Sequence, residues 1–362
     1  MTDLENLQEE LAELRNVNDE DEDVVTTSDL FSITSFGIDY PVETLVHRMN
    51  REQFYIPGFQ RQFVWSQNQA SRFIESLLLG LPVPGIFLFR ESGTGKHLVI
   101  DGQQRLKSLQ FFFNGRFMNN NNKFELHGIG SDWDGKSYDR LSDEDQMRLG
   151  DAVIHATVFK QDSPVGEMNS IYEVFERINT GGVKLSPQEI RSCICHGNFN
   201  DFLHKLNEDD AWRAIYGSRS KRLKDIEAIL RFLAFVERGH QYSSPMKHFL
   251  NDYMQEKRAN TDAELEPLRK IFSDTMKFSI ASLGDRPFRP DRALNVAVFD
   301  SVATSIAKML QSDRVLSREE TAKAYVGLLH NEEFIAGYSR ATADAENVRK
   351  RFGQAESAFG VI

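Results

Sequence analysis

The chain has 362 residues, 40% of them apolar, and includes 27 phenylalanines, so it can fill a hydrophobic core and is not globally disordered. Its length predicts two domains. Two cysteines exclude a disulfide scaffold and favour a reducing compartment. The absence of a run of about 18 apolar residues excludes a transmembrane helix. Because the first residues are acidic, a secretory signal is also excluded, and we expect a cytoplasmic protein that does not contact a membrane.

The formal net charge of −11 is concentrated at the start of the chain. Met1–Asp23 carries ten acidic residues and one basic residue, whereas the rest of the chain carries 44 acidic and 42 basic residues. This near-neutral remainder argues against a protein that binds nucleic acid over its whole surface. Residues 1–30 are predicted to form either a solvated helix followed by an acidic linker or a helix that docks on a partner. The helix is indicated by leucines at heptad spacing, Leu4, Leu7, Leu11 and Leu14.

Residues 31–161 show a mixed pattern of helices and strands. Ser66 is a candidate helix cap, and Gly80 suits the position just after that helix. A glycine-containing turn between two apolar runs predicts a β-hairpin. The predicted helices are Val42–Asn50, Gln67–Leu79 and Leu106–Phe113, and the predicted strands are Gln53–Ile56, Ile86–Phe89, His97–Ile100 and Val153–Phe159.

Helical periodicity predominates from Met168 onward. The segment Ser186–Glu189 combines a capping serine, a proline at the first helical position and a glutamate three residues after the cap, which predicts a helix start. The change in pattern near residue 162 predicts a domain boundary. We therefore expect an α+β protein, with a mixed α/β domain over residues 31–161 and an α-helical domain over residues 162–362. Further helices are predicted around Ile226–Val236 and at Met246–Glu256, Ala263–Leu283, Arg292–Leu310 and Ser317–Leu329.

The most informative segment places an acid, a glycine, two glutamines and an arginine between a buried strand and a helix. Gly102 allows a tight turn and a close approach of a ligand to the backbone. The amides that follow point out of a helix N-terminus and attract anions, and Arg105 adds a planar cation suited to phosphate. Asp101 can hold a metal ion through water or orient a nucleophile. These side chains either bind a ligand or form a salt-bridged turn that joins the strand to the helix.

Two other polar segments are candidates for the same site. Gln60 and Arg61 lie among aromatic residues just before a helix, so this stretch is either a surface loop anchored by Trp65 or part of a binding site. Arg177 and Asn179 lie where a predicted helix ends in threonine and two glycines, a pattern that a helix cap alone also explains.

The densest basic cluster lies further along the chain. Arg219, Lys221 and Arg222 belong to it, and we consider them candidate contacts for DNA phosphates or, equally, a solvated loop and helix start. The stretch from Gly93 to Lys96 resembles a phosphate-binding loop only superficially, because the Walker pattern needs a glycine where Arg90 stands. We therefore interpret it as a hairpin turn.

Three segments, taken together and in this order, point to a known family. They are Ile56–Trp65 (IPGFQRQFVW), Asp101–Arg105 (DGQQR) and Arg177–Arg191 (RINTGGVKLSPQEIR). This combination closely resembles the N-terminal domain family of GmrSD-type restriction endonucleases. Weaker matches at Lys224–Glu227 and Phe249–Met254 extend the resemblance over roughly Val42 to Leu310.

The resemblance implies a nucleotide-binding fold like that of ParB and sulfiredoxin for residues 31–161. It implies that the DGQQR motif binds and hydrolyses a nucleoside triphosphate with Mg²⁺ as cofactor, and we expect Asp101, Gln104 and Arg105 to be catalytic. On this hypothesis Arg105 is the principal phosphate clamp. The remaining nucleotide-binding roles carry over to Gly102, Gln103, Gln60, Arg61, Arg177 and Asn179.

Relatives in this family defend bacteria against phage DNA with modified bases or phosphorothioates, and they couple nucleotide turnover to an HNH nuclease. The C-terminal histidines here, His240, His248 and His330, do not have the paired spacing of such a nuclease. We therefore expect a nucleotide-hydrolysing subunit of an anti-phage or modification-dependent restriction system that acts with a separate nuclease. The alternatives are a non-catalytic DNA-binding or modification-sensing module, and a structural protein that docks through its acidic N-terminal helix.

Overall fold

The computed structural model describes residues 32–56, 63–91, 94–118, 122–163, 169–178, 185–195 and 197–361. Contacts divide the chain into two compact units, the first within Leu30–Lys184 and the second from Leu185 onward. A mixed α/β region followed by helices confirms the predicted fold class. The division falls after residue 162 because helix Asn169–Ile178 contacts strand His97–Asp101 of the first unit. Among the residues described here, no helix is long and apolar enough to cross a membrane.

The first unit is built on a mixed sheet of five described strands. These strands are β1 Ser32–Pro41, β2 Phe54–Tyr55, β3 Ile86–Arg90, β4 His97–Asp101 and β5 Val153–Ser163. Their order is β1-β5-β3-β4-β2, with β5 parallel to β3, β4 parallel to β2, and the other pairs antiparallel. The predicted hairpin is confirmed, since the N–H of Glu91 donates to the carbonyl of Lys96 over 2.9 Å between the antiparallel strands β3 and β4.

Strand β1 was not predicted, although it pairs with β5 along its whole length. Most of its side chains are exposed, and Ile33 and Phe36 are among the exposed large apolar residues of the chain. A strand with little burial lacks the strict alternation of apolar and polar residues that identifies a half-buried strand. Its β-branched and aromatic residues were the available signal.

Five helices of the first unit fall within the described residues. Ser66 caps the second of them as predicted, accepting from the N–H of Gln69 while the Gln69 side chain accepts from the N–H of Ser66. Buried apolar side chains of the four helices that precede residue 169 pack with strand residues such as Leu88 and Val99 in one core. The helices are α1 Val42–Asn50, α2 Gln67–Leu78, α3 Gln103–Phe113, α4 Asp143–Asp151 and α5 Asn169–Ile178.

The described part of the second unit is helical. The predicted helix start at Ser186 is confirmed, with Ser186 and Glu189 bonded reciprocally. The helix predicted from Arg292 begins instead at Val296, because Asn295 caps it by accepting from the N–H of Val298 over 3.1 Å. The helices are α6 Pro187–Ile194, α7 Asn198–Leu206, α8 Asp210–Tyr216, α9 Lys224–Arg238, α10 Met246–Lys257, α11 Asp262–Leu283, α12 Val296–Gln311, α13 Arg318–Leu329, α14 Glu332–Ser339 and α15 Ala345–Ala358.

An ion pair lies inside the second unit. The Arg231 guanidinium donates to both carboxylate oxygens of Asp300, with the shortest contact at 2.6 Å, and both side chains are buried. Arg351, also buried, lies 3.7 Å from the same carboxylate. A carboxylate shared by two buried guanidiniums fixes α9, α12 and α15 to one another, because removing it would leave uncompensated charge in the interior.

Candidate functional site at the end of strand β4

A one-residue irregularity in the pairing of β3 and β4 sets the position of Asp101. Leu88 pairs with Val99, and continuing that register would place Asp101 opposite the buried Ile86. The register instead shifts between Phe87 and Leu88, so that Asp101 pairs with Phe87. A bulge of this kind re-aims a side chain, and the Asp101 side chain is 46% exposed as a result.

Gly102 ends the strand and begins the helix within one residue. Its φ is +102°, and a Cβ atom there would lie 2.4 Å from Cγ2 of Ile86, so neither the conformation nor the space suits another residue. The Gly102 carbonyl accepts from the N–H of Leu106 over 2.9 Å. Helix α3 therefore begins at Gln103, three residues before the predicted start, and Gln103, Gln104 and Arg105 form its first turn.

Arg105 binds Asp101 across that turn. One guanidinium nitrogen donates to Asp101 Oδ2 over 2.7 Å and to the carbonyl oxygen of Gly85 over 3.0 Å. The Arg105 side chain is 15% exposed, and its buried Nε has no hydrogen-bond partner among the described residues. The salt-bridged turn is therefore present, and it leaves one buried guanidinium nitrogen without a described hydrogen-bond partner beside an exposed carboxylate.

Gln104 connects this turn to the segment that precedes α2. Its side-chain oxygen accepts from the N–H groups of Val64 and Trp65, at 3.0 and 3.2 Å. These two residues directly follow the stretch that contains Gln60 and Arg61. The geometry thus gives this oxygen an anchoring role that no local sequence pattern indicates, and the catalytic role of Gln104 stays a prediction.

Of the five other predicted nucleotide-binding residues, the structure describes two, Gln103 and Arg177. Gln103 is half-buried at the start of α3. Arg177 lies in the last turn of α5, where its exposed guanidinium is 3.6 Å from Glu173. Gln60, Arg61 and Asn179 lie outside the described residues. Helix α5 contacts β4, so Arg177 belongs to a helix that packs on the strand ending at Asp101.

The candidate DNA contacts lie in the second unit, where Arg219 and Arg222 each have a carboxylate partner. Arg219 forms an ion pair with Glu208. Arg222 lies 2.9 Å from Glu189, which also holds the start of α6. Lys221 is exposed. A DNA phosphate would have to replace two existing carboxylate partners, which lowers the gain from each contact.

The described residues of this turn offer Mg²⁺ a single carboxylate ligand. In the described part of the chain, no group of three or more His, Cys, Asp and Glu side chains is placed to hold a metal. Asp101 offers one exposed carboxylate, whose Oδ2 already accepts from Arg105. Mg²⁺ commonly binds through one or two carboxylates together with waters and substrate phosphates, and that is the arrangement these residues allow.

The fold and this strand–glycine–helix turn define a mixed α/β domain with an anion-attracting helix start beside an exposed carboxylate. The family model described as the GmrSD restriction endonuclease N-terminal domain matches residues 42–195. This confirms the resemblance over fewer than half of the residues, and the match ends well before Leu310, the limit that we expected. It indicates a protein related to restriction systems. No curated protein was found to be similar to the chain.

Proposed function

We propose that this protein binds and hydrolyses a nucleoside triphosphate as a subunit of a modification-dependent restriction or anti-phage system. The match to the GmrSD N-terminal domain over residues 42–195 supports the restriction-system context. The likeness of the first unit to the ParB and sulfiredoxin fold is part of the same proposal. DNA cleavage would then be carried out by a separate nuclease subunit.

One observation carries the proposal. The register shift brings the Asp101 carboxylate out of the core and Gly102 starts α3 directly beside it. Exposed amides of a helix N-terminus bind phosphate oxygens, and the carboxylate can hold the Mg²⁺ that accompanies a triphosphate. Phosphoryl transfer needs such charge stabilisation and positioning more than it needs a covalent group from the protein.

The roles of the arginine and glutamine follow from their contacts. Arg105, already bound to Asp101 and Gly85, positions the carboxylate and places its positive charge beside the proposed phosphate site. Gln104 holds the backbone of Val64 and Trp65. Arg61 and Arg177 are proposed as the additional cations that neutralise the transferred phosphoryl group.

Phosphate release by the purified full chain tests the proposal. ATP, GTP, CTP and UTP are each supplied with and without Mg²⁺, and we expect Mg²⁺-dependent release from at least one. Asp101→Asn should abolish release, whereas Asp132→Asn, which changes an exposed acid elsewhere in the first unit, should not. Binding of a triphosphate without release would make the protein a nucleotide-dependent sensor. If no triphosphate is bound, the proposal is wrong.

A further inference from the structure

A row of cross-strand partners leads from Asp101 to the opposite edge of the sheet. Asp101 pairs with Phe87 on β3, Phe87 with Thr157 on β5, and Thr157 with Gly37 on β1. Cross-strand partners extend their side chains from the same face of a sheet. Three inter-strand steps separate the ends of the row, a distance of about 14 Å. The register shift that pairs Asp101 with Phe87 is what includes the carboxylate in this row.

A histidine and an aspartate occupy the far end of the row. His155 and Asp39 are cross-strand partners, with Nδ1 and Oδ1 2.8 Å apart and side chains 59% and 70% exposed. The imidazole lies over Gly37, because a Cβ atom at that residue would be 2.6 Å from His155 Cε1. Because Gly37 has no side chain, the imidazole can occupy the space above this end of the row. With Nδ1 held by the carboxylate, Nε2 is the nitrogen that can meet a ligand.

An aromatic ring lies between the two ends. Phe87 is half-buried and stacks on Phe159, with ring centroids 5.9 Å apart and planes within 8°. Phe159 is held in turn by α5, since it lines a small cavity together with Ile171 and Val174. A partly exposed ring that a second ring holds on one side is the kind of surface on which nucleic-acid bases stack.

We propose that the nucleoside half of the triphosphate lies along this row. The inference rests on the proposed function, which places the phosphates at Asp101 and the start of α3. The base then stacks on Phe87, and His155, oriented by Asp39, accepts a hydrogen bond from an N–H of the base. The row is as long as a nucleoside triphosphate requires and longer than an inorganic phosphate can use, so it adds a base-recognition surface to the phosphate site.

Comparing two ligands on the same set of variants tests this placement. The binding constants of the preferred nucleoside triphosphate and of inorganic tripolyphosphate are measured by calorimetry with Mg²⁺ on the full chain. Phe87→Leu keeps apolar volume but removes the stacking face, and His155→Ala removes the hydrogen-bond acceptor. Each should weaken binding of the nucleotide about tenfold and leave tripolyphosphate binding unchanged. His127→Ala, an exposed histidine elsewhere in the first unit, should bind both ligands like the wild type.

The outcomes separate the two proposals. Asp101→Asn should weaken both ligands, because it acts at the phosphate end. If the wild type binds the nucleotide and neither variant weakens it, or if both variants weaken the two ligands equally, the row does not hold the base and the inference is wrong while the function stands. If the wild type binds neither ligand, the proposed function itself fails. Asp39→Ala, at an exposed position, removes the oxygen that orients His155 and provides a further test should Phe87→Leu not fold.

Discussion

Arg105 and Asp101 form an ion pair across the first turn of α3, at 2.7 Å, and the same guanidinium nitrogen also donates to the Gly85 carbonyl. The sequence predicts that Arg105 binds phosphate, and the structure shows that its guanidinium also binds two groups of the protein. The arginine fixes the carboxylate against the sheet, so both residues act as one group. A change at either residue is therefore expected to have effects on structure as well as on phosphate binding.

Replacing Arg105 should lower both turnover and stability. For Arg105→Ala we expect phosphate release to fall about 100-fold or more, since one preorganised donor at a transition state is worth that much. The free energy of unfolding should fall by about 1–2 kcal/mol, because two hydrogen bonds are lost and the partly exposed ion pair adds little. Arg105→Lys keeps the charge and should retain part of the turnover. Phosphate release and urea unfolding measure the two effects, with Arg72→Ala as an exposed control in the same unit. Unchanged turnover in Arg105→Ala would remove this residue from the proposed site.

Variants of Gln104 test whether its side-chain oxygen anchors the backbone of Val64 and Trp65. Its oxygen accepts two backbone N–H groups, and a glutamate oxygen can do the same. Gln104→Glu should therefore unfold within about 0.5 kcal/mol of the wild type, whereas Gln104→Ala should lose about 1–2 kcal/mol for the two hydrogen bonds. Urea unfolding distinguishes them. Equal losses in both variants would show that the two backbone contacts do not stabilise the fold.

Gly102→Ala should be among the most destabilising single changes in the first unit. The residue has a φ of +102°, and the new Cβ would overlap Ile86. We expect a loss of about 2 kcal/mol or more, from backbone strain and the displaced side chain together. Gly80→Ala is the matched control, because it has a φ of +69° with nothing within 4 Å, and should cost about 1 kcal/mol. Thermal unfolding compares the two, and equal shifts would contradict the steric account.

The stability of the first unit should depend on pH through His97. Burial, with the positive charges of Arg48 and Arg90, lowers the pKa of His97 to about 4. Its unfolded-state pKa is near 6.5, so between these values the unfolded chain binds the proton more readily than the folded one. Stability should therefore fall as the pH is lowered from 6.5 to 4, by up to about 3 kcal/mol, with no contribution from this group above pH 6.5.

A variant isolates that contribution. His97→Phe cannot take up a proton and should pack beside Phe54, which the imidazole already contacts at 5.1 Å between ring centroids. Hydrogen exchange of the sheet amides in urea, measured at several values between pH 4 and 7.5, should show a shallower loss of stability in the variant. Identical pH dependence in the two proteins would mean that another group is responsible.

Much of the sheet and the turn at its end could be predicted from the sequence. The apolar runs around Glu91–Lys96 predicted the β3–β4 hairpin, and Ser66 and Ser186 marked two helix starts because capping depends on residues close in sequence. The two alternatives for the DGQQR motif were also visible, since Asp101 and Arg105 lie four residues apart, one turn of a helix. The acidic first turn of α4, which follows Ser142, was an available capping signal that we did not use.

Contacts between distant segments could not be predicted in the same way. The bonds from Val64 and Trp65 to Gln104 depend on how α2 and α3 pack, and the pairing of His155 with Asp39 depends on the register of β1 with β5. Register is set by the whole sheet, and shifting it by one residue turns every side chain to the other face. No pattern within β4 alone indicates that Asp101 pairs with Phe87.

The extra residue in β4 restricts how this protein's length can vary. Deleting Ile100 would remove both a buried side chain and the bulge, so that the pairing of β3 with β4 that positions Asp101 and Gly102 would have to be rebuilt. Residues 94–96, by contrast, lie between two strands and are exposed, and insertions are usually tolerated at such positions. Homologous or engineered sequences should therefore vary in length before His97 and keep a constant count of residues from there to Arg105.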